Sequence, residues 1–478
     1  MPIRPRGSRG RRVPVRLRWL EGLVEDPRVL SELGISPEAG RRFLSSVGVV
    51  YARTLCIKCK GKGLCGRTDC PFLKALRLYA SHMPELRGRE VEGRSPPAVF
   101  VGRIGYPYVS VGPLIPPVEG DTGLYDRPEE WFGLSLTEIA RMRASLVRGK
   151  FLVNVRKPEK AGKLMEMTLE LALSDRSVFS EAIFSSEPKR AVVLDEGFQP
   201  FGPSAPLRAL DVDVGRWDRR LERAYSDTDM RAREAVLWLY ERGVPVSRIQ
   251  RAFSVGALGL GRLRRLVPTR WSITAVDSIL SISLIERLKR YPIIGRFEVY
   301  STAFLDNHYV VILMPEAWAF ELLEAWAPGA VWNPGAQASI ISDWEGRSGR
   351  TTYARPGGSY YAARLAVAEA LERRRRQARA VVFREVRPGY TIPLGVWQVR
   401  ESLRAALRSE PRRADSLEEA LAIAAEKLAI PMRFWLKTSR LLRDALEQKK
   451  LTDFFRSHAR EREDAGSSDK PPQPLERS

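Results

Sequence analysis

All four cysteines of this 478-residue chain fall between Cys56 and Cys70, in the pattern C-x2-C-x5-C-x4-C (CIKCKGKGLCGRTDC). Four thiolates this close can close one tetrahedral Zn2+ site with Zn–S bonds of about 2.3 Å. Gly61, Gly63 and Gly66 let the backbone turn tightly enough to bring Cys56, Cys59, Cys65 and Cys70 together. Such a site has no open position, so the metal is expected to be structural, not catalytic. An iron–sulfur cluster is an alternative suggested by Cys70-Pro71, although the internal spacings are longer than that run uses. Disulfides are a further alternative, open to hyperthermophile proteins. Lys58, Lys60, Lys62 and Arg67 decorate the knuckle and suit contacts with phosphate. Four cysteines in so long a chain exclude a secreted disulfide scaffold.

Charge narrows the partner class. Lys and Arg number 79 against 57 Asp and Glu, a formal net charge of +22. Of those 79, only 15 are Lys and 64 are Arg, the residue whose planar fork suits phosphate and stacks on bases. A field of this sign attracts polyanions, and nucleic acid is the leading partner. Genome composition accounts for Arg in place of Lys, but not for the excess of positive over negative charge. Residues 1–18 hold seven Arg and no acid, and read as a basic disordered arm. That N-terminus lacks the apolar stretch of a signal peptide, and no run approaches the roughly 20 apolar residues of a spanning helix. A cytoplasmic protein without membrane contact is expected.

Periodicity predicts an α+β protein: a mixed-sheet central domain with an N-terminal zinc-stabilised segment and a helical C-terminal region. The expected division is a zinc-binding region over 19–95, a central domain over 96–395 and a helical region over 396–447. Residues 448–455 form a separate motif, and 456–478 a disordered tail. Strands are expected at Ala98–Val101, Val109–Val111, Lys150–Val155, Ala191–Leu194 and Arg379–Val386. Lys163–Leu173 also reads as a strand, because Leu164, Met165, Met167, Leu169, Leu171 and Leu173 nearly alternate. Arg296–Phe304 and His308–Met314 read as a hairpin turning at Asp306-Asn307. Helices are expected at Thr137–Val147, Trp217–Arg242, Ser272–Arg290, Ala317–Trp326 and Tyr360–Gln377, with 397–447 all-helical. Residues 235–266 form two helical stretches around Gly243–Pro245. They read either as a helix-turn-helix presenting Arg248, Arg251, Arg262, Arg264 and Arg265, or as an ordinary helical hairpin with a solvated basic face.

The segment QKKLTDFF at 448–455 resembles the motif by which proteins bind the DNA sliding clamp. Leu451, Phe454 and Phe455 sit at offsets 0, 3 and 4, so one helical turn makes them a single apolar plug. Gln448 precedes the plug, and Lys449, Lys450 and Arg456 favour an acidic rim. The alternative is the core-facing end of the preceding helix, although the segment leads into a polar tail. The 23 residues after Phe455 are more than such hooks often carry.

Further segments, FVGRIGYPYVSVGPL (100–114), GLSLTEIARMRASLVRG (133–149), RRLVPTRWSITAVDSILS (264–281) and YYAARLAVAEAL (360–371), together resemble the archaeal Nre DNA-repair family. The resemblance runs over most of residues 50–455. It implies a link to repair of DNA damage and to the clamp, with a four-Cys zinc finger in some members, and it supplies no catalytic residues.

Candidate catalytic carboxylates are Asp211 and Asp213, spaced for one face of a strand, and Asp343 and Glu345; Asp195 and Glu196 add to the first cluster. Paired metal ions in a nuclease need such groups, whereas salt bridges to abundant Arg are the plainer explanation. In VPTRWSITAVD, Arg270 is placed to hold phosphate and Trp271 to stack a base, unless Trp271 simply packs in the core. Only three His, and no phosphate loop of the form G-x-x-x-x-G-K-[ST], argue against triad and ATP chemistry. The expected function is a DNA-repair factor brought to DNA by the sliding clamp. The rivals are a metal-dependent nuclease or other DNA-processing enzyme, and an RNA-binding or RNA-modifying zinc protein.

Overall fold

The computed structural model describes residues 70–190, 199–213, 215–331, 333 and 335–447. Cys56, Cys59, Cys65, the knuckle's Lys58, Lys60, Lys62 and Arg67, Asp195, Glu196, the strand expected at 191–194, and Gln448, Leu451, Phe454 and Phe455 lie outside them, as do the basic arm and the tail.

After α1 (Pro71–Ser81), six strands build a first sheet: β1 (Glu90–Ser95), β2 (Val99–Val101), β3 (Tyr108–Ile115), β4 (Val147–Asn154), β5 (Val178–Phe184) and β6 (Ser204–Val212). Their order is β1-β5-β6-β4-β3-β2, and only β4–β6 is parallel. Between β3 and β4 runs α2 (Leu136–Ala144). Its start is fixed by a capping box: Ser135 Oγ accepts from Glu138 N–H, and Glu138 accepts from Ser135 N–H. Burial alternates along β1, β5 and most of β6, as in a sheet with one face on the core and one in water.

Four helices follow: α4 (Arg219–Ser226), α5 (Ala232–Glu241), α6 (Val246–Ser254) and α7 (Thr269–Leu288), with α3 (Lys163–Leu173) having preceded them between β4 and β5. A second sheet then forms from β7 (Phe297–Phe304), β8 (Asn307–Met314), β9 (Ala319–Trp326), β10 (Ser339–Glu345), β11 (Arg379–Val386) and β12 (Arg412–Ala414), in the order β10-β9-β11-β8-β7-β12. Here only β9–β11 is parallel, and α8 (Gly358–Arg374) lies between β10 and β11 in the chain. The remaining helices are α9 (Trp397–Ala406), α10 (Leu417–Ala425), α11 (Met432–Thr438) and α12 (Arg440–Glu447).

The second sheet is covered on both faces. Along β8, Tyr309, Val311 and Leu313 join the large core shared with α5–α9, while Val310, Ile312 and Met314 join a core with α10–α12. Two apolar faces explain the uninterrupted run YVVILM. The α+β class holds, with two mixed sheets.

Several local expectations fail for identifiable reasons. Lys163–Leu173 is the helix α3, not a strand: its buried residues Met165, Thr168, Leu171 and Ala172 follow a helical period that the hydrophobic alternation masks. Ala317–Trp326 is not a helix but contains the fully buried strand β9. Its Glu321 and Glu324, three apart, imitate a helix face, yet they point to opposite sides of the sheet. Glu321 accepts from Ser439 Oγ at 2.6 Å and from the N–H groups of Arg440 and Leu441 at 2.9 Å, so it caps α12. Glu324 pairs with Arg384 across the β9–β11 register at 3.0 Å. The hairpin turns at Leu305-Asp306, one residue earlier than expected, both with positive φ. The helix expected over 217–242 breaks into α4 and α5, and 397–447 includes the edge strand β12.

Arg374 binds Glu298 through two nitrogens at 2.6 Å, and Tyr300 donates to the same carboxylate at 2.8 Å. Burial pushes the Glu298 pKa up, but these partners hold it below the ordinary glutamate value. Its stabilising effect is therefore present above the unfolded value of about 4.3 and disappears as pH falls through the lower folded value. Wild type is expected to melt above Glu298→Gln at pH 6–7, with the gap closing below about pH 4. Melting curves across that range test this, and a gap that widens in acid refutes it.

Candidate nucleic-acid interface

Three segments converge at the β2–β3–β4 end of the first sheet. Ser110 pairs with Leu152 and Tyr108 with Asn154 in the β3–β4 ladder. Val101 N–H donates to Thr269 Oγ1 at 2.9 Å, which anchors the start of α7 to β2. Leu266 N–H donates to Val155 O at 2.9 Å, which seats the preceding loop against the end of β4. The Tyr106 and Trp271 rings meet at 5.6 Å. Residues 100–114, 148–157 and 259–271 carry Arg103, Arg148, Lys150, Arg156 and Lys157, then Arg262, Arg264, Arg265 and Arg270, and no carboxylate.

The β2–β3 loop turns at Gly105, which has φ +83°; a Cβ there would lie 2.8 Å from Tyr108 O, so only glycine fits. The turn holds Tyr106 and Tyr108 out in solvent, 46 and 53 % exposed, beside Ile104, Leu152 and Leu263 at 76, 68 and 62 %. Exposed apolar groups gathered in this way mark an interaction surface. Arg156, Lys157, Arg262 and Arg265 are exposed around them.

Beneath the patch lies a buried cation. The Arg148 guanidinium rests on the Phe100 ring at 4.3 Å and the Phe201 ring at 5.2 Å, and donates to Ser110 O at 3.0 Å. Burial, with no carboxylate opposing it, pushes its pKa down to about 9, so it remains charged at pH 7. The pKa of Lys150, on the same strand face, is lowered by burial and then by the neighbouring charges of Arg148 and Lys189.

Arg270 and Trp271 lie on the first turn of α7, both half-buried. Asp277 turns inward and pairs with Arg400 at 3.0 Å. The helix-turn-helix reading finds no presented basic face on α6. Arg248 binds Asp218 at 3.0 Å, and the buried Arg251 binds Asp126. Arg264 donates to Gly259 O and Asp227 O, both at 2.8 Å.

The acidic candidates are not brought together. Asp211 is exposed on β6, 3.4 Å from Lys163, in register with Glu181, which faces Glu92. Asp213 follows β6, and its N–H donates to Phe179 O. Asp343 and Glu345 lie on β10 of the other sheet. Asp343 accepts from Arg350 at 2.8 Å and from Arg355 N–H at 2.9 Å, and buried Glu345 accepts from Arg364 at 2.6 Å. Among the described residues no group of three His, Cys, Asp or Glu is arranged to hold a metal ion. Cys70 is half-buried at the N-cap of α1. Sequence reasoning missed Tyr106, Tyr108, Arg156 and Lys157; the absence of acid from three separate segments was the available signal.

Residues 64–333 match the family model for the archaeal Nre N-terminal region, and residues 345–454 match the C-terminal one. The chain belongs to the archaeal Nre family. Two Nre relatives are from Archaeoglobus fulgidus. The DNA repair protein NreB is 42 % identical over 84 % of this chain and all of its own length. The DNA repair protein NreA is 37 % identical over 78 % of this chain and 93 % of its own. Haloferax volcanii NreA, also called a DNA repair protein, is 36 % identical over 76 % and 89 %. No solved structure matches the chain. The two Nre regions are not two sheets: β7–β9 lie in the first match and β11–β12 in the second, within one sheet. No described helix is long and apolar enough to cross a membrane.

Proposed function

We propose that this Nre protein is a DNA-repair factor that holds nucleic acid on the surface around Tyr106, Tyr108 and Trp271. The observation that carries the reading is the meeting of exposed aromatic rings with three acid-free basic segments. Bases stack on such rings whatever their sequence, and flanking Arg and Lys follow the backbone. The repair context comes from the names of the relatives. Structural Zn2+ on Cys56, Cys59, Cys65 and Cys70 would hold the basic knuckle as a further phosphate-binding element, with no part in chemistry.

Recruitment is assigned to the DNA sliding clamp through Gln448, Leu451, Phe454 and Phe455. The C-terminal family match extends to residue 454, so most of this hook belongs to the family's common sequence. The clamp concentrates the protein on DNA, so weak backbone contacts suffice there. Titration calorimetry of the protein with its own clamp tests the hook. Phe454→Ala/Phe455→Ala is expected to weaken binding at least thirtyfold, as for a lost aromatic anchor. Equal affinity of wild type and variant removes the clamp from the proposal.

A further inference from the structure

Beside the aromatic surface, a cavity of about 50 Å³ opens between β2–β3 and α6–α7. Its rim is half-buried at Phe100, Gln199, Ser247 and Thr269, and its floor contains the buried Arg143 and Arg251. Both guanidiniums share one carboxylate, Asp126: Arg143 Nη1 lies 3.2 Å from Oδ1, and Arg251 Nη2 binds Oδ2. Arg143 is otherwise satisfied by Pro200 O at 2.9 Å and Tyr125 O at 2.8 Å. Arg251 is 7 % exposed, and its Nη1 is buried with no hydrogen-bond acceptor.

Two buried guanidiniums thus share one carboxylate in a cavity lined by polar and apolar groups alike and partly open to solvent. Two other carboxylates lie nearby. Glu129 is held by Ser247 N–H at 2.9 Å and Oγ at 2.8 Å. Asp277 lies behind Gln250 and is matched by Arg400. An orphaned buried guanidinium nitrogen calls for an acceptor, and a charged one binds more strongly than water.

We propose that this cavity binds a phosphate group, specifically the terminal phosphate monoester of a nucleic-acid strand lying on the aromatic surface. The volume holds about four water-sized groups, the scale of one phosphate and too little for a base. An internal phosphodiester carries chain on both sides and reaches the buried Arg251 less readily than a free end does. A terminal monoester enters end-on and brings acceptor oxygens with a charge of roughly −1.5 to −2 at pH 7 to the unpartnered Arg251 Nη1. The strand-end part rests on the nucleic-acid reading above; the phosphate part does not.

The test compares single-stranded oligonucleotides bearing 5′-phosphate, 3′-phosphate or only hydroxyl ends, by fluorescence anisotropy at fixed salt. Wild type is expected to prefer one phosphorylated end about tenfold, as for one added charge-assisted contact. Arg251→Gln keeps a donor toward Asp126 but removes the charge; it should lose the preference and keep the affinity for hydroxyl-ended strands. Because a buried Arg variant can unfold, a wild-type arm runs beside it. Inorganic phosphate, against chloride at equal ionic strength, should raise the melting temperature and abolish the end preference. A phosphate-dependent shift with no oligonucleotide binding would keep the cavity as a phosphate site and discard the strand-end assignment. No end preference and no phosphate effect overturns the proposal entirely.

Discussion

Replacing Arg400 with methionine is expected to destabilise the fold by about 3–5 kcal/mol, the usual cost of stranding a buried charge. Arg400 on α9 and Asp277 on α7 are both essentially inaccessible. One guanidinium nitrogen reaches both Asp277 oxygens, at 3.0 and 3.1 Å, and Gln250 donates to the same carboxylate at 2.8 Å. Burial pushes the Asp277 pKa up, and Arg400 is the main influence opposing it. Without Arg400 the carboxylate either remains charged in a poor medium or takes up a proton, and either course costs stability. The neutral pair Arg400→Met/Asp277→Asn removes both charges and is expected to recover more than half of the loss. Urea unfolding of wild type, both single variants and the double variant measures this. A single-variant loss below 1 kcal/mol would mean that water reaches Asp277 and that the helices are not locked by this pair.

The pair also shows what the sequence could and could not say. Asp277 was visible as an acid in an unusual segment, but 123 residues separate it from Arg400, and no local pattern joins them. The hairpin β7–β8, the strand β11 and the helices α7 and α8 were legible from the length of their apolar runs and the turn residues that bound them. β9 was not. Of its two glutamates, Glu321 is held by Ser439 and Glu324 pairs with Arg384, partners that only tertiary structure supplies, so their spacing misled. α3 failed for the opposite reason: an apolar alternation concealed a helical burial pattern. At the candidate site, Arg270 and Trp271 could be read from one segment. Tyr106 and Tyr108 could not, because their meaning depends on a loop folding over the start of α7. The proposed clamp hook is of a different kind: a linear plug would carry its chemistry in four residues without needing a fold around it.

The double variant Tyr106→Ala/Tyr108→Ala is expected to weaken binding of single-stranded oligonucleotides about hundredfold. Base stacking on one aromatic ring contributes roughly 1–3 kcal/mol, so two rings in the lower part of that range give such a loss. Both side chains are about half exposed, so removing them should leave the melting temperature nearly unchanged. The cationic rim makes a separable contribution. Arg156→Ala/Lys157→Ala removes two phosphate contacts, each worth about 0.7 in the slope of log affinity against log salt for single strands. That slope should therefore flatten by about 1.4 in the rim variant and stay constant in the tyrosine variant. The two outcomes distinguish stacking from charge on one surface, which a single affinity measurement cannot do. If both variants lost affinity only through a flatter slope, the tyrosines would be bystanders and the surface merely electropositive. If neither variant lost affinity, nucleic acid would bind elsewhere, and the acid-free convergence of 100–114, 148–157 and 259–271 would need another partner.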